Sequence, residues 1–331
     1  MRIATFNLEN LDLPPKARMS LVARAAVLRP AFARLQADIV CLQEVNGQRV
    51  RGQSERSVTV LDQLLAGTPY ASFHRASTTG PDRKGAADVH NLVTLSRLPI
   101  IATREVRHDF VPPVAHAIQT ASPKVPSASP LTFDRPLLQT DIDIGNGRRL
   151  TVINLHLRAP LAAFVAGQKQ APFVWKSVAG WAEGYFMSAV RREAQALELR
   201  FLVDRCLADD PKRLIAIAGD FNAEDHDTSL KIAIGAEEET GNGDLSAHSL
   251  VVLDRALPAD RRWSVLHYGR PQMLDHILTS RALHGHFRTI EIHNETLGDE
   301  AMSYAKAVDP PGSHHAAVVA EFAFDGAWDG D

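Results

Sequence analysis

The sequence predicts a mixed α/β fold, on three observations. Short continuous apolar runs rich in Ile, Val and Leu recur along the chain and read as strands buried on both faces. Between them lie stretches whose apolar residues recur at helical spacing. One Asn-Gly pair between two such runs signals a tight hairpin, so strand–helix alternation is combined with direct strand pairing.

Taken in order, Ile3–Phe6 is the first strand, Val27–Leu35 a helix and Ile39–Leu42 the second strand, with Leu92–Leu95 the third. The stretch Val111–Pro130 contains Pro112, Pro113, Pro123, Pro126 and Pro130. Proline fixes φ and removes a backbone donor, so this stretch is expected to be largely irregular. Arg135–Ile144 and Arg148–Leu155 flank Gly145-Asn146-Gly147 and read as a hairpin. Leu161–Tyr185 carries Phe164, Phe173, Trp175, Trp181 and Tyr185 with Lys169 and Lys176, and reads as a second irregular insertion. Met187–Leu207 is the clearest helix. Val190, Ala194, Leu197 and Phe201 mark its apolar spacing, Arg191, Arg192, Glu193 and Glu198 take its other faces, and Asp209-Asp210-Pro211 ends it. Leu214–Ala218 is a further buried strand. No linker or repeat divides the chain. The expectation is one domain over 1–325, with insertions at about 108–132 and 159–186 and a tail at 326–331.

Composition narrows the function classes. A chain of 331 residues, 45% hydrophobic and 23% charged, can bury a substantial core. The net charge of −3 argues against general electrostatic capture of nucleic acid, so an anionic substrate would need a local basic patch. Cys41 and Cys206 both lie in apolar stretches and read as buried thiols. The chain enters a strand at Arg2-Ile3-Ala4 with no apolar leader, and no run reaches the ~18 apolar residues of a membrane span. A cytoplasmic protein is therefore expected.

Chemistry is concentrated in polar clusters, most of them closing a short apolar run. They are Thr5-Phe6-Asn7, Gln43-Glu44, Asn154-Leu155-His156, Gly219-Asp220-Phe221-Asn222, Leu274-Asp275-His276-Ile277 and Ser313-His314-His315. Loops at strand ends are where α/β proteins put working groups. Each cluster alone also has a plain structural reading, such as an Asx turn; their order along the chain does not.

Together these clusters resemble the endonuclease/exonuclease/phosphatase superfamily, the metal-dependent phosphodiesterases that include DNase I. The resemblance implies a four-layer α/β sandwich, two packed mixed β-sheets flanked by helices, with the site at one end of the sheets. It implies a metal-dependent phosphodiester hydrolase, in the first instance a DNase-like endo- or exonuclease acting on nucleic acid. A phosphodiesterase or phosphatase for a small-molecule or lipid phosphoester is the alternative. Glu44, with Asn7, is the expected holder of a divalent metal, Mg²⁺ first, because hard cations take carboxylate oxygens. Asp220 is implied to orient or deprotonate the attacking water and Asn222 to hold the phosphate. His156 and His315 are implied to carry proton transfer and transition-state contact, with Asp275 orienting His315. Arg135 and Asn154 are the expected phosphate contacts, although Arg135 also reads as a surface arginine opening a strand. Of Asp88, His90 and Asn91, one could stand behind His156, or all could be rim residues. His276 is expected on the opposite face from Asp275.

One residue departs from the pattern. Where the superfamily has Ser-Asp-His, this chain has Ser313-His314-His315. Three readings follow: a redundant carboxylate is lost, His314 ligates the metal and shifts preference toward Mn²⁺ or Zn²⁺, or the site is impaired and the chain is a non-catalytic ligand binder. The chain lacks the Pro-Asn-Xaa-Gly segment of AP-endonuclease relatives, having Asn154-Leu155-His156-Leu157-Arg158 instead, and lacks the Pro-Xaa-Trp-Cys-Asp-Arg motif of inositol 5-phosphatases.

Overall fold

The computed structural model describes residues 1–14, 17, 19–301 and 312–324, so the expected tail at 326–331 lies outside them. Two six-stranded sheets carry the fold. In chain order their strands are Arg2–Leu11 (β1), Ile39–Val45 (β2), His74–Ser77 (β3), Asn91–Ser96 (β4), Ile100–Val106 (β5) and Leu137–Asp143 (β6), followed by Arg149–His156 (β7), Leu214–Asp220 (β8), Val251–Val252 (β9), Asp275–Thr279 (β10), Phe287–Ile292 (β11) and Val318–Phe322 (β12). The first sheet runs β11–β12–β1–β2–β4–β3 and the second β9–β10–β8–β7–β6–β5. Each contains one parallel pair, β1 with β2 and β7 with β8, among antiparallel neighbours.

A parallel pair needs a long crossover, and here each crossover contains a helix. The main helices are Leu21–Leu35 (α1), Thr59–Leu65 (α2), Val178–Asp209 (α3) and Thr228–Ile234 (α4). Helix α1 returns the chain from β1 to β2, and α3 from β7 to β8. Strand alternation then sorts side chains into layers. Phe6, Leu8, Val40 and Leu42 pack under Leu28 and Phe32 of α1. Ile153, Leu155, Ile215 and Ile217 pack under Leu199, Leu202 and Val203 of α3. Ile3, Cys41, Val152, Ala216, Ile277 and Val318 fill the space between the sheets. The architecture is the four-layer α/β sandwich.

The predicted strands and the 135–155 hairpin are present. In its turn Arg148 N–H donates to Gly145 O at 3.0 Å, and Asn146 and Gly147 both have positive φ, as a primed turn requires. Helix α3 differs from the sequence expectation in two ways. It starts at Val178, so the last part of the aromatic insertion is helical. Gly180 and Gly184 do not end it, because they admit a neighbouring chain segment: a Cβ at Gly184 would lie 2.4 Å from Ala163 O. The stripe Val190–Phe201 also lies off the buried face. The core face is Ala196, Leu199, Leu202 and Val203, and it includes Arg192 and Glu198. Glu198 is buried without an ion pair among the described residues. Its carboxylate accepts hydrogen bonds from the backbone N–H groups of Asp109, Phe110 and Val111, which periodicity along one helix cannot reveal. The proline-rich stretch contains one short strand pair, Val114–His116 with Ser129–Leu131.

Candidate active site

The working residues sit on the inter-sheet side at the ends of adjacent strands. In β1 the helix-facing positions are Phe6 and Leu8, which puts Asn7 between the sheets. The same alternation turns His156 of β7 and Asp220 of β8 inward beyond Val152 and Ala218. Gly219 permits this pairing, since a Cβ there would lie 2.0 Å from Leu155 O. Glu44 breaks the alternation. Val40 and Leu42 face the helices, and a regular strand would send Glu44 the same way. Instead, the β2–β4 register shifts between Leu42 and Val45, and Glu44 has φ +58°. This bulge re-aims the carboxylate into the cleft. Glu9, Asn10, His90 and Asn222 around it are also left-handed. Such conformations cost about 1–3 kcal/mol each and collect at working sites.

Two carboxylates converge here. Asn7 Nδ2 donates to Asp220 Oδ2 at 3.0 Å and to Glu44 Oε1 at 3.3 Å. His156 Nε2 lies 3.4 Å from the same Asp220 oxygen and 3.9 Å from Glu44 Oε1. On the other side of that imidazole, Arg135 NH1 donates to Nδ1 at 2.9 Å. A guanidinium can only donate, so Nδ1 is the acceptor and the proton rests on Nε2. Burial first, then the charge of Arg135, holds His156 well below the ordinary histidine range. It is therefore a neutral donor aimed at the carboxylates.

The opposite wall behaves in reverse. His315 Nδ1 donates to Asp275 Oδ2 at 2.8 Å and lies 3.9 Å from Asp220 Oδ2. Burial opposes its charge, but Asp275, then Asp220 and Glu44, outweigh burial and hold it well above the usual range. Ser264 Oγ donates to the same Asp275 oxygen at 2.7 Å, while Asp275 Oδ1 is buried with no partner among the described residues. Burial, and next the charge of Asp275, pushes Asp220 far above ordinary carboxylates, although His315 pulls the other way. Asp220, Asp275 and His315 present ligand atoms within 4.8 Å of one another. Two imidazoles pushed in opposite directions across a carboxylate cluster form an acid/base arrangement.

Comparison with known proteins identifies the family. The profile of the endonuclease/exonuclease/phosphatase family matches residues 4–295. The chain belongs to that family. No curated protein sequence matches it. Among solved structures, an endonuclease/exonuclease/phosphatase family protein from Leptotrichia buccalis superposes with TM-score 0.54 at 15% identity, covering 98% of this chain and 100% of its own. A humanized TDP2 from D. rerio gives 0.56 at 12% identity, over 97% of each chain. An AP endonuclease from Archaeoglobus fulgidus gives 0.50 at 17% identity, over 97% and 99%. At these identities the likeness establishes the fold. Family membership makes this a phosphoester hydrolase scaffold whose members use divalent metals.

The family's cation fits the residues present. Among the described residues, Glu44 and Asp220 form ion pairs only with histidines, so two carboxylates face one cleft without a lysine or arginine between them. Glu44, Asp220 and Asp275 are the oxygen donors that could hold it. Asn7 presents Nδ2 to that cleft, while its Oδ1 accepts from Glu9 N–H at 2.9 Å, so ligation by Asn7 requires its amide to turn.

Other predicted residues are placed differently. Asn154 is fully buried and does not reach the cleft. Its amide donates to Leu42 O and Val93 O and accepts from Gln43, tying the sheets together. His314 faces Glu9, with its backbone N–H donating to Oε2 at 2.8 Å and Nδ1 contacting Oε1 at 2.8 Å. It is not a member of the Asp220–Asp275–His315 group. Asn222 N–H donates to Asp220 Oδ1, and its side chain donates to Leu157 O, clamping the loop. Sequence reasoning missed Glu9, Asn10 and Ser264, and left His90 unassigned. Asn10 N–H donates to Glu44 Oε2, and His90 Nε2 meets Asn10 Oδ1 at 2.9 Å, its ring 6.3 Å from that of His156. Glu9 and Asn10 lie two and three residues after Asn7 and could have been suspected; Ser264 lies in no motif. His276 is fully buried on the far face, bonded to Asp254 and Ala223 O.

Proposed function

We propose that this chain hydrolyses phosphodiesters with a divalent metal, Mg²⁺ by preference, and that its substrate is nucleic acid, cut in DNase-like fashion. The observation that supports this most directly is the convergence of His156 and His315 on Asp220, with Glu44 3.9 Å from His156 and Asp275 2.8 Å from His315. A cation held by those carboxylates would neutralise the non-bridging phosphate oxygens and favour attack at phosphorus.

The roles follow from the geometry. Asp220, 3.4 Å from His156 Nε2 and 3.9 Å from His315 Nδ1, is placed to take a proton from the attacking water. His156, neutral with its proton on Nε2, donates a hydrogen bond to a phosphate oxygen, and Arg135 keeps that tautomer in place. His315, cationic and backed by Asp275, faces the developing negative charge and gives its proton to the leaving oxygen. Asn222 holds the loop that carries Asp220, its amide donating to Leu157 O. One domain spans 1–325 in this reading, and a cytoplasmic location is retained.

The test is hydrolysis of bis-p-nitrophenyl phosphate and of single- and double-stranded DNA with Mg²⁺, Mn²⁺ and Zn²⁺ compared. Glu44→Ala and His315→Ala serve as controls. Turnover of DNA that both substitutions abolish supports the reading. Turnover of the small diester without cleavage of either DNA moves the substrate to a smaller or lipid phosphoester. Folded protein inert with every metal sinks the catalytic reading.

A further inference from the structure

The segment between β7 and the buried part of α3 has a surface that the catalytic reading does not use. Lys169–Ala171 pairs with Val174–Trp175 as a small hairpin, and its connection exposes Phe173 (87%) beside Val174. Two residues after this hairpin, α3 begins with Val178 (81% exposed), Trp181, Tyr185 and Phe186 all turned outward. The rings of Trp181 and Tyr185 lie 5.5 Å apart. Ala179 and Ala182 complete the exposed arc, so the first turns of α3 present no charged side chain to the outside. Their one carboxylate, Glu183, is turned inward, accepting from the N–H groups of Gln119 and Thr120. At ~200 Å² per aromatic side chain, Phe173, Trp181, Tyr185 and Phe186 with the two valines expose on the order of 600 Å². That is the upper end of the largest apolar patch on an ordinary soluble monomer.

Charge decides what covers this face. The cations at this face are Lys169 and Lys176, against the inward-turned Glu183; Arg158 is paired with Asp134, Arg191 donates to Thr132 O, and Arg192 is buried beside Glu193. Lys169 is half-buried, its Nζ 4.7 Å over the ring of Trp175 and donating to Pro172 O at the hairpin tip, and Lys176 is exposed at the foot of α3. A second copy of the chain would set these cations against themselves, with no exposed acid in the segment to answer them. A nucleic-acid strand needs cations interleaved with the stacking rings along its backbone, whereas the helix arc has none and the hairpin tip is Pro172-Phe173-Val174. An apolar face that includes Trp and Tyr, with lysines beside it, matches a bilayer surface with anionic headgroups.

We propose that the 169–186 hairpin and helix start form a docking face for an anionic phospholipid surface. Phe173, Val174 and Val178 enter the acyl boundary, Trp181 and Tyr185 lie at headgroup level, and Lys169 and Lys176 meet lipid phosphates. This is peripheral attachment: no helix among the described residues is long and apolar enough to cross a membrane. The proposal is independent of the catalytic reading.

The experiment uses the full chain with sucrose-loaded vesicles of phosphatidylcholine, with and without phosphatidylglycerol. The expected result is sedimentation with the anionic vesicles, weakening as salt is added, with tryptophan emission quenched by brominated lipid. Phe173→Ser combined with Val178→Ser lowers binding by roughly tenfold or more, and Lys169→Glu with Lys176→Glu does likewise on anionic vesicles only. Thermal unfolding of each variant within a few degrees of the parent shows that it still folds. Failure to sediment with either vesicle overturns the proposal. So does undiminished binding by the serine variant, a dimer in light scattering that the serine variant disrupts, or single-stranded DNA binding that depends on these residues.

Discussion

Asp275→Asn separates the two histidines experimentally. Asp275 is fully buried, and its Oδ2 accepts from His315 Nδ1 at 2.8 Å and from Ser264 Oγ at 2.7 Å. The substitution conserves volume, and the new amide oxygen can still accept from Ser264, so the fold is retained. It removes the group that contributes most to raising His315, leaving burial to act against the charged ring. His315 then loses its proton at a lower pH. For a proton donor the active form is the protonated one, so the basic limb of kcat/KM lies above the ordinary histidine range in the parent and moves down in the variant. General acid catalysis contributes about 10²–10⁴ in rate. A loss of that order is expected at pH 8 on diesters with an alkoxide leaving group. The loss should be much smaller for bis-p-nitrophenyl phosphate, whose activated leaving group needs little protonation. The assay is kcat/KM against pH for the two substrate types at saturating metal. An unmoved basic limb, or equal losses on both substrates, would falsify the assignment of His315 as the donor.

Four further outcomes are expected. Mg²⁺ or Mn²⁺ at about a hundred times its dissociation constant stabilises by ~2.7 kcal/mol, a rise of about 4 °C for a chain of this length; differential scanning calorimetry should show it in the parent and not in Glu44→Ala. Glu9→Gln weakens the grip of β1 on the loop that presents His315, so kcat is expected to fall about tenfold with KM little changed, and Glu9→Asp should fall less than Glu9→Gln. Glu198→Ala leaves three backbone donors, that of Val111 buried and those of Asp109 and Phe110 partly so, without their acceptor and should cost about 3 kcal/mol, read as a drop of about 4 °C. His276→Gln tests the buried pair with Asp254. His276 is raised, so its contribution is complete below its unfolded pKa and is lost as pH rises through the folded one; Asp254 is lowered, so its contribution is lost as pH falls through its folded pKa. The difference in unfolding midpoint between parent and variant should be largest between about pH 4 and 6.5 and shrink in alkali; a constant difference would rule the linkage out.

What the chain encodes locally was legible from it. Strands such as Ile39–Leu42 and Leu214–Ala218 are short apolar runs, and the Asn146-Gly147 turn announces itself because few residues tolerate two positive φ values in succession. Asn7, His156 and Asp220 were recognisable because each ends such a run, and regular alternation carries them to the inter-sheet side. Glu44 was recognisable as a residue but not as a direction, since only the β2–β4 register shift turns it inward. Asn154 looked like part of the site because the cluster Asn154-Leu155-His156 carries the family resemblance. In the fold that position is deeper, where the sheets close on its amide and use every polar atom.

Contacts between distant segments were decided by tertiary structure alone. Arg135 on His156, Ser264 on Asp275, Glu9 on His314 and the three amides on Glu198 join residues whose pairing leaves no periodic trace in the sequence. The departure at His314 shows why. Read along the chain, it is a carboxylate lost from a metal motif, a ligand exchanged or a site impaired; in the fold it answers a carboxylate 305 residues away. Periodicity and turn chemistry report what each backbone segment prefers by itself. The protonation states on which the proposed chemistry rests depend instead on burial and on neighbouring charge, and those exist only once the two sheets have packed.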